Sequence, residues 1–169
     1  TITYTKGEKF NEKNYTIVVN EGELWIDPVS TEITITITGH KGGQEYNGTE
    51  QTVSGYEISD LPAGVSSNDV GFNGTAEVKR TDAGTYPMGL DSSQFYLQSP
   101  AAENYKNVTY NVIDGELALA KRAVKLSSET ASKPYDGEPL TRPDVKIEAG
   151  SFVAGEVTEL KATGSVTNV

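Results

Sequence analysis

Residues 31–39 read TEITITITG, with Ile33, Ile35 and Ile37 alternating with Thr34, Thr36 and Thr38. A period of two puts the isoleucines on one face and the threonines on the other, and the β-branched side chains disfavour a helix. The segment is predicted to be a half-buried strand. Comparable runs predict strands at 15–19, 23–26, 51–58, 74–79, 105–113, 116–119, 124–126 and 145–147. Turn-forming clusters separate them: NEG at 20–22, HKGG at 40–43, FNG at 72–74 and IDG at 113–115. Apolar spacing of three and four never persists; LDSSQFYL at 90–97 predicts about one helical turn, capped by Asp91 or Ser92. Many short strands, glycine-rich turns and little or no helix predict an all-β fold of antiparallel β-sandwich type. At 169 residues and 36% hydrophobic content, the chain can bury one large core or two small ones.

The chain also repeats itself. NYTIVVNEGELWI at 14–26 answers NYKNVTYNVIDGELAL at 104–119, with the Asn-Tyr pairs 90 residues apart and Gly22 93 residues from Gly115. Tyr46-Asn47-Gly48 recurs 89 residues later as Tyr135-Asp136-Gly137, and TDA at 81–83 is echoed by TNV at 167–169. Landmarks in one order at nearly one spacing predict a unit of about 90 residues, the size of an immunoglobulin-like sandwich. On this alignment 29–120 form a complete unit, 1–28 the C-terminal strands of one and 121–169 the N-terminal strands of another. Either the two ends join into a second sandwich, within or between chains, or each completes a neighbouring copy. DPVST at 27–31 and AKRA at 120–123 are the expected linkers, the first stiffened by Pro28.

SKPYDGEPLTRPDV at 132–145, GSFVAGE at 150–156 and TGSVTNV at 163–169 resemble the YDG-type repeats of large secreted or wall-anchored bacterial proteins. YNGTEQTVSGY at 46–56, TDAGTYPMGL at 81–90 and VIDGELAL at 112–119 resemble their companions, the MBG-type immunoglobulin-like repeats. The resemblance covers essentially the whole chain. It implies tandem sandwiches forming the extracellular stalk of an adhesin, with neighbouring repeats as partners and neither catalytic residues nor a cofactor. TITYTKGEKFNEKNYTI at 1–17 looks like the latter part of a YDG unit. In the family pattern a glycine and polar residues follow TGSVTNV before such a TITY-like strand; here that strand stands at the beginning of the sequence.

Charge and composition narrow the partners. Twenty-four acidic against fourteen basic residues give a net charge of -10, which repels nucleic acid and anionic membrane surfaces. No apolar run approaches the roughly 18 residues of a membrane span. Without cysteine there are no disulfides or thiolate metal sites. Thr1 begins no signal peptide, so an export signal is expected outside this sequence.

Candidate chemistry is sparse. His40, the only histidine, sits in GHKGG and is expected at an exposed hairpin tip. Asp136 and Glu138 are two acids on one short segment, as a glycosidase pair would need, but their counterparts Asn47 and Glu50 keep only one carboxylate. The landmarks Tyr46, Asn47, Gly48, Tyr135, Asp136 and Gly137 instead predict tight turns, each with a polar side chain capping its own backbone and a glycine free to take positive φ. Tyr46 and Tyr135 are expected to anchor those turns. Asn68, Asp69 and Asn73 offer oxygen donors for calcium, and turn formation calls for the same letters. Lys79 and Lys125 are candidate donors for an isopeptide crosslink. The sequons at Asn14, Asn47, Asn73 and Asn107 are unremarkable in a threonine-rich β chain. Trp25, Tyr56 and Tyr96 are candidate ligand or interface aromatics, Trp25 standing where the complete unit has Ala118. The expectation is a non-enzymatic stalk or spacer displaying a distal binding region. The alternatives are a fibre subunit whose ends pair between copies, and a module that binds glycan or mucin.

Overall fold

The computed structural model describes residues 1–168; Val169, the last residue of the TNV echo, lies outside them. The fold is all-β. The strands are β1 (Ile33–Gly39), β2 (Lys41–Glu45), β3 (Gln51–Ser54), β4 (Tyr56–Ser59), β5 (Val70–Phe72), β6 (Glu77–Arg80), β7 (Gly84–Pro87), β8 (Phe95–Leu97), β9 (Val108–Ile113), β10 (Glu116–Ala120), β11 (Lys125–Ser128) and β12 (Val145–Ala149). Helix is confined to α1 (Ala101–Asn104) and to 3-10 turns at Glu12–Asn14, Ser67–Asp69 and Ser92–Gln94. The last of these is the turn predicted within 90–97, with Asp91 as its cap, accepting from Ser93 N at 2.9 Å.

Two three-stranded sheets, β4-β1-β9 and β2-β10-β7, are accompanied by the separate pairs β3-β6 and β5-β8. The pairing departs from the all-antiparallel expectation, because β1 runs parallel to β9 and β2 parallel to β10. These partners are separated by a long crossover rather than a tight turn, which leaves their relative direction free. Consecutive strands also change sheet together. Between β1 and β2, and again between β9 and β10, the chain turns a corner, and the two corners lie against each other. A Cβ on Gly39 would stand 2.3 Å from Gly115 N. HKGG is therefore no hairpin tip: His40 N donates to Gly55 O at 3.0 Å, Glu116 N donates to His40 O at 3.1 Å, and both glycines lie within β2. The predicted strand 51–58 breaks at Gly55 (φ +90), so that β3 pairs with β6 and β4 with β1.

The alternation of residues 33–38 governs the centre. Ile35 and Ile37 are wholly buried, and they meet Val78 of β6, Phe95 of β8, Leu117 and Leu119 of β10, Val70, Met88 and Leu90 in one cluster. Every member of that cluster falls within 29–120. Residues 1–28 hold no strand, and the runs predicted at 15–19 and 23–26 do not form one. β propensity alone does not supply the pairing neighbour that backbone N–H and C=O groups require.

Residues 121–168 form a smaller piece whose register duplicates part of the larger one. Leu126 of β11 opposes Ile147 of β12, Ser127 opposes Lys146 and Ser128 opposes Val145. In β1-β4 the pairs are Ile37 with Ile58, Thr38 with Glu57 and Gly39 with Tyr56. Each residue of the first set lies 89 positions after its counterpart; a register shift between Leu126 and Lys125 ends the match, Lys125 opposing Ala149 where Thr36 with Ser59 would call for Glu148. The loops that follow each hold one turn bond, Val65 N donating to Pro62 O at 3.1 Å and, 91 rather than 89 positions later, Glu156 N to Val153 O at 3.2 Å.

Candidate functional site

The turn after β2 is built from its own side chains. Asn47 Oδ1 accepts from Thr49 N at 2.9 Å and Thr49 Oγ1 at 2.8 Å, and Gly48 takes φ +78. This presents Tyr46 and Gly48 to the loop after β12. Tyr46 donates its hydroxyl to Glu156 Oε1, and the acceptor carboxylate raises the phenol's pKa above its ordinary value. A Cβ on Gly48 would stand 2.7 Å from Val153 Cγ1, so only glycine lets the turn sit this close to the loop.

The linker after β10 is clasped from the same side. Arg122 Nε donates to Ser151 O at 2.6 Å and Arg122 Nη2 to Ser151 Oγ at 2.7 Å, while Glu45 stands 4.0 Å from the guanidinium. The guanidinium fork spans a backbone and a side-chain oxygen of one residue, which fixes its direction as well as its distance. Between the two fastenings lies a cleft of about 510 Å³, its walls including Tyr46, Asp82, Lys121, Phe152 and Val153. The cleft is open and carries charges of both signs. It is the seam between the 29–120 body and the 121–168 piece.

The second landmark turn has the same construction and different surroundings. Asp136 Oδ1 accepts from Glu138 N at 3.0 Å and Gly137 takes φ +83. Lys133 Nζ, 2.8 Å from Asp136, lowers the carboxyl's pKa. Tyr135 is 69% exposed, at the edge of a hollow that Leu140 and Val166 also line. Asp136 thus caps its turn, and Glu138 contributes its backbone N–H to that cap.

Other candidates are placed as follows. Asp69 Oδ2 accepts from Ser66 N at 2.8 Å and Ser66 Oγ at 2.7 Å, bonds that lower its pKa, and it closes the 3-10 turn 67–69. Asn68 offers its carbonyl oxygen to Gln98, and Asn73 N donates to Gln94 O at 2.8 Å. Among the described residues, no three His, Asp or Glu side chains gather as a metal-holding group. His40 is exposed, its Nδ1 donating to Ser54 O at 2.8 Å. Lys79 meets Glu77 at 2.9 Å and Lys125 meets Glu148 at 3.2 Å, both in contact with solvent.

The three aromatics do not converge on one surface. Tyr56 belongs to the body's packing, its ring edge-on to Phe72 and Phe95 at 5.2 Å from each, and burial raises its pKa. Tyr96 lies on β8 with its ring over Gly71 of β5, where a Cβ would stand 2.4 Å from the ring. Trp25 is 74% exposed in the strandless segment.

Sequence reasoning passed over Arg122, Ser151, Glu156 and Asp114. Asp114 accepts from Leu90 N at 2.9 Å and from Gly89 N at 3.0 Å, fastening the loop after β7 to the β9-β10 corner. The signal available for it was the acid in IDG, which was legible only as a turn. No helix among the described residues is long and apolar enough to cross a membrane. Comparison with family models, with curated proteins and with solved structures returns no match.

Proposed function

We propose that the chain is a stretch of tandem immunoglobulin-like units in an extracellular bacterial stalk, of the YDG and MBG type that its motifs resemble. Its work is mechanical. It spans distance and holds a binding region away from a secreted or wall-attached base, with neighbouring repeats as its partners. The observation that carries this reading is the agreement of two spacings: Tyr46 to Tyr135 in sequence, and β1-β4 to β11-β12 in strand register, both 89 residues. A spacer needs repeated units whose junctions resist bending, because stability in such arrays depends on each unit and its nearest neighbours. The Tyr46-Glu156 bond and the Arg122-Ser151 fork are fastenings of the kind that role calls for.

Single-molecule stretching tests the reading. Pulled from its ends, the chain should release residues 29–120 in one discrete event of roughly 300 Å, at about 3.5 Å per extended residue. A smooth rise in force without that step would overturn the mechanical role. Retention of the unaltered chain on immobilised glycan or mucin would favour a binding module instead.

A further inference from the structure

We propose that the first and last strands of the 29–120 body form a shear clamp, which makes the body resist tension along the chain far better than tension applied across the same strands. The inference rests on the stalk reading for the direction of load and goes beyond it to the bonds that bear the load. It starts from one offset. In the parallel β1-β9 ladder Ile33 opposes Val108, 75 positions on, and in the parallel β2-β10 ladder Glu45 opposes Ala120, again 75 positions on. The two ladders belong to different sheets, yet the offset is unchanged through the corner between them. Residues 33–45 and 108–120 are therefore one pair of parallel arms, bent together.

Bonds outside the ladders extend the pairing at both ends. Val29 bridges Tyr105 in parallel, its N–H donating to Asn104 O at 2.8 Å while Lys106 N donates to Val29 O at 3.0 Å. At the far end Tyr46 N donates to Ala120 O at 2.9 Å. Side chains add to these rungs: Asn107 Nδ2 donates to Ser30 O at 2.6 Å, and the hydroxyls of Thr34 and Thr109 meet at 3.0 Å. At the corner Glu116 N donates to His40 O at 3.1 Å. Only His40 separates β1 from β2, and the tightest hairpins use about two residues, so the first arm bends there without reversing.

The direction of the arms decides how they meet a load. Tension along the chain enters the body before Val29 and leaves it after Ala120, so the first arm is drawn back and the last arm forward. Because the arms are parallel, the two points of load stand at opposite ends of the paired segment. The rungs then lie across the pull and share it. Arms paired antiparallel would bring both points to one end and part rung by rung. A single backbone hydrogen bond contributes little in water, so the number that must break together sets the barrier. Forced unfolding is governed by that barrier rather than by equilibrium stability. Parallel pairing is slightly less stable per residue than antiparallel, and what it supplies here is the geometry of shear.

Single-molecule stretching between introduced cysteine pairs tests this, the chain having no cysteine of its own. Glu32→Cys with Lys121→Cys loads the arms from opposite ends. Glu32→Cys with Lys106→Cys loads them from one end, where both residues line a single hollow, and Gln44→Cys with Lys121→Cys loads them from the other. All four positions are exposed, so the three variants should melt with the unaltered chain. At one pulling speed the first pair should need several-fold more force than either of the others. The unaltered chain, pulled from its ends, shears the arms without any substitution and should match the first pair. Equal forces in all three geometries, or the highest force in a pair loaded from one end, would overturn the clamp, and a discrete unfolding step would still stand for the stalk. A smooth rise without a step in the first geometry would overturn both.

Discussion

The hydroxyl of Tyr46 donates to the carboxylate of Glu156, 110 residues further along the chain, and joins the turn after β2 to the loop after β12. Both groups are in contact with solvent, so the bond does little for the stability of the body. Its effect is on the seam. Tyr46→Phe keeps the ring and removes the donor, and it should leave the melting of 29–120 within about 0.5 kcal/mol of the original. Trypsin should then cut faster after Lys121 and Arg122, because the linker opens more often. Equal cleavage rates in the variant and the unaltered chain would show that the bond fastens nothing.

Asp114 has more structural consequence. Its carboxylate is the acceptor for the N–H groups of Gly89 and Leu90, at a corner where Met88 N also donates to Gly115 O at 2.8 Å. Asp114→Ala leaves the part-buried Leu90 N–H unpaired, a loss of about 1–3 kcal/mol, while water can reach the exposed Gly89 N–H. Asp114→Asn retains one acceptor oxygen and should recover part of it. Urea denaturation followed by Trp-independent circular dichroism reads both, with the order aspartate, asparagine, alanine in falling midpoint as the expected result.

The fold was legible where its signal was local. Ile33, Ile35 and Ile37 carry their own period, and Asp91 carries its own cap, so β1 and the turn at 92–94 could be read directly. β2 was hidden because Gly42 and Gly43 read as turn residues. They are needed for another reason: a Cβ on Gly43 would stand 2.2 Å from Ala118 O, across the parallel ladder with β10. Residues 23–26 failed in the opposite direction, since ELWI has strand propensity but pairs with no strand among the described residues. At the seam, Tyr46 was visible as a landmark, whereas Glu156 and Arg122 acquire meaning only through contacts that no short window contains. Tyr56 and Tyr96 look alike in sequence, and their different burial is set by Phe72 and Phe95 around one and Gly71 beneath the other.

Tyr110 offers a substitution with the opposite sign. Its hydroxyl is buried with no hydrogen-bond partner among the described residues, and burial raises its pKa. An unpaired buried hydroxyl opposes folding. Tyr110→Phe removes it without changing the ring's packing near Phe95, 6.1 Å between centroids. The variant should be at least as stable, with a gain of up to about 1 kcal/mol. The aligned position 93 residues earlier is Ile17, an apolar residue that has no such hydroxyl to satisfy. A drop in the thermal midpoint would show that the hydroxyl has a partner after all.

Gly39 tests the corner itself. The two nearest atoms that a Cβ there would meet are Gly115 N at 2.3 Å and Gly115 Cα at 2.7 Å, both backbone, so moving the Leu90 side chain, 2.9 Å away, would not relieve the clash. Gly39→Ala must part the two crossing segments and the core beneath them, at an expected cost of about 3 kcal/mol or more. Gly7 provides the control, with nothing within 4 Å of its Cβ position. Gly7→Ala should be neutral within about 0.5 kcal/mol. If the two variants melted together, the close approach of the β1-β2 and β9-β10 corners would be wrong.

Acid should act on the 121–168 piece through Glu129. Its carboxylate bonds Lys146 of β12 and Arg142, which together depress its pKa to about 2 from a usual value of 4.5. Because the folded pKa lies below the unfolded one, the bound form is favoured at every pH above about 4.5 and the advantage disappears as pH falls from there to about 2. The side chain sits at the surface, so salt should weaken the effect. Amide exchange in β11 and β12 should therefore speed up between pH 4.5 and 2 relative to exchange in β1 and β9, after correction for the intrinsic pH dependence. Glu129→Gln should abolish that difference and make the piece equally open at both ends of the range. A β11-β12 exchange profile that ran parallel to the body's through the same interval would show that the clasp does not hold the two strands together.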